Sequence, residues 1–158
     1  MARIPGVLET CVGYANGTGE DDAVYETVCA GATGFRETVR VRFDDASVDA
    51  LLTAFFRAID PTAVNRQGND RGTQYQAGIW WEPGDDRTQA DVERICELAR
   101  AAYPGFAVEV GPLSNFFAAE EYHQDYLVKN PGGYCHISPA LISGAAGIDV
   151  AEGEFVAP

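Results

Sequence analysis

Apolar residues along the chain fall into short, separable patterns, and each predicts an element. Residues 7–14, Val-Leu-Glu-Thr-Cys-Val-Gly-Tyr, read as a strand entered through the turn-forming Pro5-Gly6. Residues 38–43 alternate strictly, with Val39, Val41 and Phe43 on one face, which predicts a half-buried strand with a wet outer face. Val48, Leu51, Leu52, Phe55 and Phe56 then recur at helical spacing behind Ser47, a cap residue, and Asp60-Pro61 closes that helix. A second stripe, Val92, Ile95, Cys96, Ala99 and Tyr103, follows Thr88-Gln89-Ala90-Asp91, which resembles a capping box, and Glu82 to Arg87 reads as a turn. Residues 75–81 and 106–110 complete the expected strands. A short helix is expected from Ala118 to Leu127, carrying Tyr122, His123, Gln124 and Tyr126. Residues 137–158 have no periodicity and are expected to be an irregular tail. With no repeat and no linker, the economical reading is one α+β domain over residues 1–136 plus that tail.

One stretch breaks the apolar pattern. Arg66-Gln67-Gly68-Asn69-Asp70-Arg71-Gly72-Thr73-Gln74-Tyr75 gathers guanidinium, amide, carboxylate, hydroxyl and phenol groups just ahead of the apolar run Ala77-Gly78-Ile79-Trp80-Trp81. A polar, glycine-bearing loop delivered by a core strand is a common way to present binding and catalytic groups. A surface loop whose side chains cap one another fits the same composition. Glu37, at the entry to the alternating strand, can look into a site or pair with Arg36 or Arg40.

Charge narrows the partners. The 158 residues hold 24 acidic and 11 basic side chains, a net charge of −13, and Lys129 is the single lysine. That field repels a phosphate backbone and an anionic membrane surface, so neither nucleic acid nor membrane is expected as a partner. No apolar run is long enough to span a bilayer, and Met1 to Gly6 lacks a signal-like apolar region; a cytoplasmic location is the expectation. Cys11, Cys29, Cys96 and Cys135 form no C-x-x-C pair, and His123 and His136 do not stand at zinc-finger spacing from them, which argues against a disulfide scaffold or a zinc site. Cys11 and Cys96 read as core thiols. Cys135 follows the flexible turn Asn130-Pro131-Gly132-Gly133, where a thiol can meet a partner thiol or a sulfenic acid.

Four segments then fall together: Pro5-Gly6-Val7 with Val12 to Gly17; Tyr25-Glu26-x-Val28-Cys29-x-Gly31-x-Thr33-Gly34 with Glu37; Asp60-Pro61-Thr62 with Arg66 to Tyr75; and Ala119-Glu120-x-Tyr122-His123-Gln124 through Tyr134-Cys135. Their order and spacing resemble the peptide methionine sulfoxide reductase A family, from about Ala2 to Cys135. The resemblance implies a two-layer sandwich resembling a ferredoxin-like plait and a thiol cycle without metal or organic cofactor. In that cycle a cysteine thiolate attacks the sulfoxide sulfur while a glutamic acid, helped by tyrosine hydroxyls, protonates the departing oxygen. Methionine leaves, and the resulting sulfenic acid condenses with a C-terminal cysteine to a disulfide that thioredoxin reduces. Carried onto this chain, Glu37 matches the acid, Tyr25 and Tyr75 the phenols, Asp70 the group that hydrogen-bonds the machinery or substrate, and Cys135 the resolving thiol. Glu37, Asp70 and Tyr75 also fall where the substrate binds.

One departure matters. The family's nucleophile lies in Gly-Cys-Phe-Trp-Gly on the first, central strand, about a helix ahead of the match to Pro5-Gly6, and these residues contain no such motif. Cys11 falls in the next strand, and Cys29 matches a position that does not attack. The expectation is therefore a chain truncated at its N-terminus and inactive as it stands, the nucleophile being a cysteine or a selenocysteine whose codon reads as a stop. The alternative is a pseudoenzyme that binds methionine sulfoxide without turnover. Losing a central strand also predicts a gap, a rearranged edge, or self-association through that edge.

Overall fold

The computed structural model describes residues 1–44 and 46–158. Strand β1 (Val7–Ala15) pairs antiparallel with β2 (Arg36–Phe43), in a register that sets Val12 opposite Val39, Gly13 opposite Thr38 and Tyr14 opposite Glu37. Between them runs a short helix, α1 (Tyr25–Cys29), and after them α2 (Val48–Ala58), capped as expected by the Ser47 hydroxyl, which accepts from the Ala50 amide at 3.0 Å. The polar stretch holds a two-rung hairpin, β3 (Arg66–Gln67) and β4 (Asp70–Arg71), and a single 3-10 turn at Thr73–Tyr75. The apolar run behind it forms β5 (Gly78–Trp81), followed by α3 (Asp86–Ala102), β6 (Glu109–Pro112), β7 (Phe116–Ala118) and two short helices, α4 (Tyr126–Lys129) and α5 (Pro139–Gly144).

The strands lie in three separate sheets, ordered β2-β1-β7, β3-β4 and β5-β6, the last of these parallel. Among the described residues β2 pairs only with β1, and β5 only with β6, so each has an unpaired edge. Val39 is 46% exposed on edge strand β2, while Val41 and Phe43 are half-buried. Gly13 is required where three strands meet, because a Cβ there would lie 2.3 Å from the Phe117 carbonyl and 2.5 Å from the Phe116 ring.

Two amphipathic helices supply most of the core. Leu52 and Phe56 of α2 pack with Val92, Ile95, Cys96 and Ala99 of α3 over Ile79 and Trp81. Cys96 is fully buried, and burial pushes its thiol up to about 11. Beneath this apolar layer lies one charged group: Asp49 of α2, with no exposed surface, accepts from Arg94 of α3 at 2.7 Å and from the Phe155 amide at 2.8 Å. Burial alone would raise the Asp49 carboxyl, but the bonds from Arg94, Phe155 and Gly153 hold it below the usual carboxylate range.

Several expected boundaries move, each for a local reason. Helix α3 starts at Asp86, because the Asp85 carboxylate caps it by accepting from the Thr88 amide at 3.0 Å. The strand expected at 106–110 forms at Glu109–Pro112, since the Ala107 amide is taken by the Pro61 carbonyl. No helix runs from Ala118 to Leu127. The Ala119 amide instead donates to Val12 of β1, and Gln124 brackets the same residue, its Nε2 donating to the Val12 carbonyl and its Oε1 accepting from the Val12 amide. Cys11 is half-buried rather than core. The tail is not irregular throughout: α5 is capped by Ser138, and beyond it Ile148 and Phe155 are buried. A lone aromatic and a lone aliphatic carry no periodicity, yet each fills a site prepared by α2.

Because Asp49 is covered while Arg94 is partly exposed, Arg94→Ala should lower the unfolding free energy by about 2 kcal/mol at pH 7, less than for a wholly buried pair. Asp49 is held low, so its contribution is complete above the unfolded carboxylate value of about 4 and fades as pH falls through the folded one. Urea unfolding followed by circular dichroism should thus show the gap between wild type and Asp49→Asn narrowing from pH 7 to pH 3.

Candidate active site

Register places the first side chain. Glu37 stands opposite Tyr14 near the start of β2, and its carboxyl meets the Tyr75 hydroxyl delivered by the turn at Thr73–Tyr75. The residue as a whole is exposed, while its carboxyl is partly desolvated by its neighbours. Desolvation first, and then the charge of Asp70, push Glu37 above the usual carboxylate range, while the hydrogen bond from Tyr75 pulls it back in part. Burial and the nearby Glu37 charge push Tyr75 up to about 12. Both shifts run toward the protonated acid and the neutral phenol.

The polar stretch is anchored, not merely surface. Gln67 and Gln76 are both buried. Gln67 Oε1 accepts from the Asp60 amide at 3.1 Å; Gln76 accepts from the Asn65 amide at 2.8 Å and donates to the Ala107 carbonyl at 2.8 Å. The Thr73 hydroxyl donates to the Gly31 carbonyl at 3.2 Å, tying the turn to the end of α1. Gly68, at φ +57, turns the hairpin so that Asp70 lies on the same side as Tyr75. A surface loop that only caps itself would not bury two amide side chains against distant backbone.

Tyr25 enters from α1. Its ring lies 4.8 Å from that of His123, and its hydroxyl bonds the Cys29 thiol, the main reason its pKa is raised. The residue that fixes this helix was not singled out by pattern: Glu120 accepts from the Tyr25 amide at 2.8 Å and from the Tyr14 hydroxyl at 2.9 Å. Burial would raise Glu120, but the bonds it receives hold it below the usual range. Tyr14 is 2% exposed, and burial followed by the Glu120 bond pushes its phenol up. The signal in the sequence was only a Glu beside a Tyr-His-Gln run, and nothing in that spacing names its partners 95 and 106 residues away.

The C-terminal segment meets the hairpin. His136 Nδ1 lies 3.9 Å from Asp70 Oδ2, and the His136 Cβ would stand 3.3 Å from any Cβ at Gly68. Cys135, half-buried and free, precedes His136 in the chain. The structure thus gathers Glu37, Tyr75, Asp70 and Tyr25; Cys29 also borders the cluster, exposed beside Tyr25. Cys11 and Cys96 lie on β1 and α3. Two pronounced hollows, of about 360 and 560 Å³, lie between β2 and α3 and along α3, and neither includes these residues. Among the described residues no group of three His, Cys, Asp or Glu side chains is placed to hold a metal ion.

Comparison with known proteins bears on this cluster. The family model described as peptide methionine sulfoxide reductase matches residues 1–146. Peptide methionine sulfoxide reductase MsrA of Clostridium botulinum is 48% identical over 139 residues, covering 87% of each chain. That of Lachnoclostridium phytofermentans is 46% identical over 151 residues, or 92% of this chain and 87% of the other. Among solved structures, reduced Mxr1 from Saccharomyces cerevisiae superposes with a TM-score of 0.76 at 36% identity, over 84% of this chain and 77% of that one. Methionine sulfoxide reductase A of Corynebacterium diphtheriae gives 0.67 at 36% identity, over 82% and 67%. With the family model spanning nearly all of the folded chain and identities this high, the chain belongs to the peptide methionine sulfoxide reductase family, of the MsrA type.

Proposed function

We infer that these residues form the acid and phenol half of a peptide-methionine (S)-S-oxide reductase site. The observation that carries this reading is the Glu37 carboxyl, raised by burial and by Asp70 and bonded to the Tyr75 hydroxyl. Expelling oxygen from a sulfoxide requires a proton in the transition state, and a partly desolvated carboxylic acid is a suitable donor. Glu37 gives that proton to the sulfoxide oxygen. Tyr75 and Tyr25 hold the oxygen through their hydroxyls, and Asp70 receives a substrate N–H or orients Glu37. Cys135, the residue before His136, condenses with a sulfenic acid and releases water. Thioredoxin supplies the two electrons that reopen the disulfide.

The attacking thiol or selenol is supplied by a Gly-Cys-Phe-Trp-Gly segment that these residues lack. The separate sheets with unpaired edges among the described residues are consistent with a missing strand of the plait the family resemblance implies. Without it, the same edges are a template for pairing between copies. The exposure of Glu37 fits the absence of the motif's Phe-Trp pair as a wall. A second reading, sulfoxide binding without turnover, is favoured by the same pair of facts: an intact Glu37–Tyr75 contact and no cysteine in the required motif.

A thioredoxin-coupled assay with the S epimer of methionine sulfoxide should show no turnover above background for the 158 residues, and turnover once a segment carrying the motif is joined upstream. Turnover by the short chain would overturn the assignment of the nucleophile. Binding of the sulfoxide detected by calorimetry, with neither chain turning over, would favour the second reading. In the extended protein, Glu37→Gln should lower kcat by about 10²–10⁴-fold. Because Glu37 is raised, its protonated form persists to higher pH than an ordinary glutamic acid, and kcat should fall as pH climbs through that raised value. Glu37→Gln should abolish that limb of the profile. Sedimentation should show the short chain self-associating with rising concentration, and the extended one less so.

A further inference from the structure

The rim of the site carries more exposed aromatic surface than the chemistry at Glu37 uses. The Tyr25 ring lies tilted against His123 at 4.8 Å, and His123 against Tyr122 at 4.2 Å. Farther along the chain, the Tyr126 ring abuts the backbone at Gly133, the residue before Tyr134. Tyr122, Tyr126 and Tyr134 are 59%, 41% and 57% exposed. Scattered surface aromatics are ordinary, but the strip of touching rings Tyr25, His123 and Tyr122 at the edge of a candidate active site, with exposed Tyr126 and Tyr134 following in the chain, marks an interaction surface.

The charge around the strip is almost all of one sign. Glu120 accepts from the Tyr25 amide and exposed Glu26 follows Tyr25 on α1; burial, followed by the charges of these two carboxylates, pushes the Tyr122 phenol up. Glu121 and Asp125 flank the same turn. The one nearby lysine, Lys129, is already held by the Glu121 carboxylate at 2.9 Å and the Glu121 carbonyl at 2.6 Å. Glu120 is taken up by Tyr14 and Tyr25. Glu26 and Asp125 form no ion pair among the described residues, so their charge faces outward.

We propose that this strip binds the polypeptide on which the sulfoxide is carried, and selects segments with lysine or arginine beside the oxidised methionine. A cation sits favourably over a tyrosine face. The unpaired Glu26 and Asp125 carboxylates complete its environment, and the chain's net −13 field steers such a segment inward. Glutamate at the same positions meets carboxylates and is repelled. This inference rests on the Glu37–Tyr75 cluster being the sulfoxide site.

The test is titration of the ¹⁵N-labelled chain with three short peptides, read by amide shifts, which register weak binding. One carries methionine sulfoxide between lysines, one the sulfoxide between glutamates, and one unoxidised methionine between lysines. The lysine sulfoxide peptide should bind about tenfold tighter than the glutamate one at low salt, falling to about twofold at 0.5 M salt as screening shortens its reach. Its shifts should include Glu26, Tyr122 and Asp125. Tyr122→Ala should weaken the lysine peptide by about threefold and leave the glutamate peptide unchanged; Glu26→Gln, which alters no buried group, should cut the salt-sensitive part. Equal affinities for the two sulfoxide peptides, or lysine-dependent shifts away from the strip, would overturn the proposal. Preference for sulfoxide without preference for lysine sinks the strip and spares the Glu37 site. Lysine preference at the strip with no sulfoxide preference removes the site reading and overturns the proposal that rests on it, leaving only a cation-selective surface.

Discussion

The pairing register of β1 and β2 is the constraint on which the site depends. It sets Tyr14 opposite Glu37, with Tyr14 turned into the core and the Glu37 carboxyl held beside Tyr75 and Asp70. Side chains alternate every residue along a strand, so a slip of one would turn Glu37 away from Tyr75 and bring the Tyr14 hydroxyl out of reach of Glu120. Gly13 helps lock that register, because the close approach of β7 tolerates no side chain at that position and at that position alone along β1 a glycine is available.

Around this ladder, polar groups do the joining that apolar burial does elsewhere. Glu120 links β1 to α1; Gln124 extends the β1–β7 ladder with its amide; Gln67 and Gln76 hold the hairpin that presents Asp70 and Tyr75. Each has its hydrogen bonds within the fold, the condition under which a covered polar group is tolerated. The same interactions make the site electrostatically uneven: Glu120 and Asp49 receive enough bonds to stay ionised, whereas Glu37, which feels the charge of Asp70 and has one phenol as partner, is pushed toward its neutral form. Three carboxylates thus take different protonation behaviour from their surroundings alone.

Much of this was legible in the sequence. The two helical stripes, Ser47 as a cap, Cys96 in the core and strands expected at 7–14 and 38–43, which form at 7–15 and 36–43, follow from periodicity and capping, which are local properties. The polar stretch Arg66–Tyr75 stood out because composition alone separates it from core. Where the local pattern misled, a distant partner had intervened. Residues 118–127 have helical composition, but Val12 claims the Ala119 amide and both ends of the Gln124 side chain. The tail has no period, yet Ile148 and Phe155 find prepared apolar sites, and the Phe155 amide finds Asp49.

By itself, then, the sequence determined the family, the identities of the groups that can do chemistry, and the absence of Gly-Cys-Phe-Trp-Gly from these residues, because those are matters of composition and order. Only the tertiary structure decided which of them meet. It set Glu37 against Tyr75 and Asp70, ran Glu120 to Tyr14 and Tyr25, and carried His136 to the hairpin. Among the described residues it also left the edges of β2 and β5 unpaired. Protonation and reach depend on neighbours tens of residues away, and no local pattern encodes such neighbours.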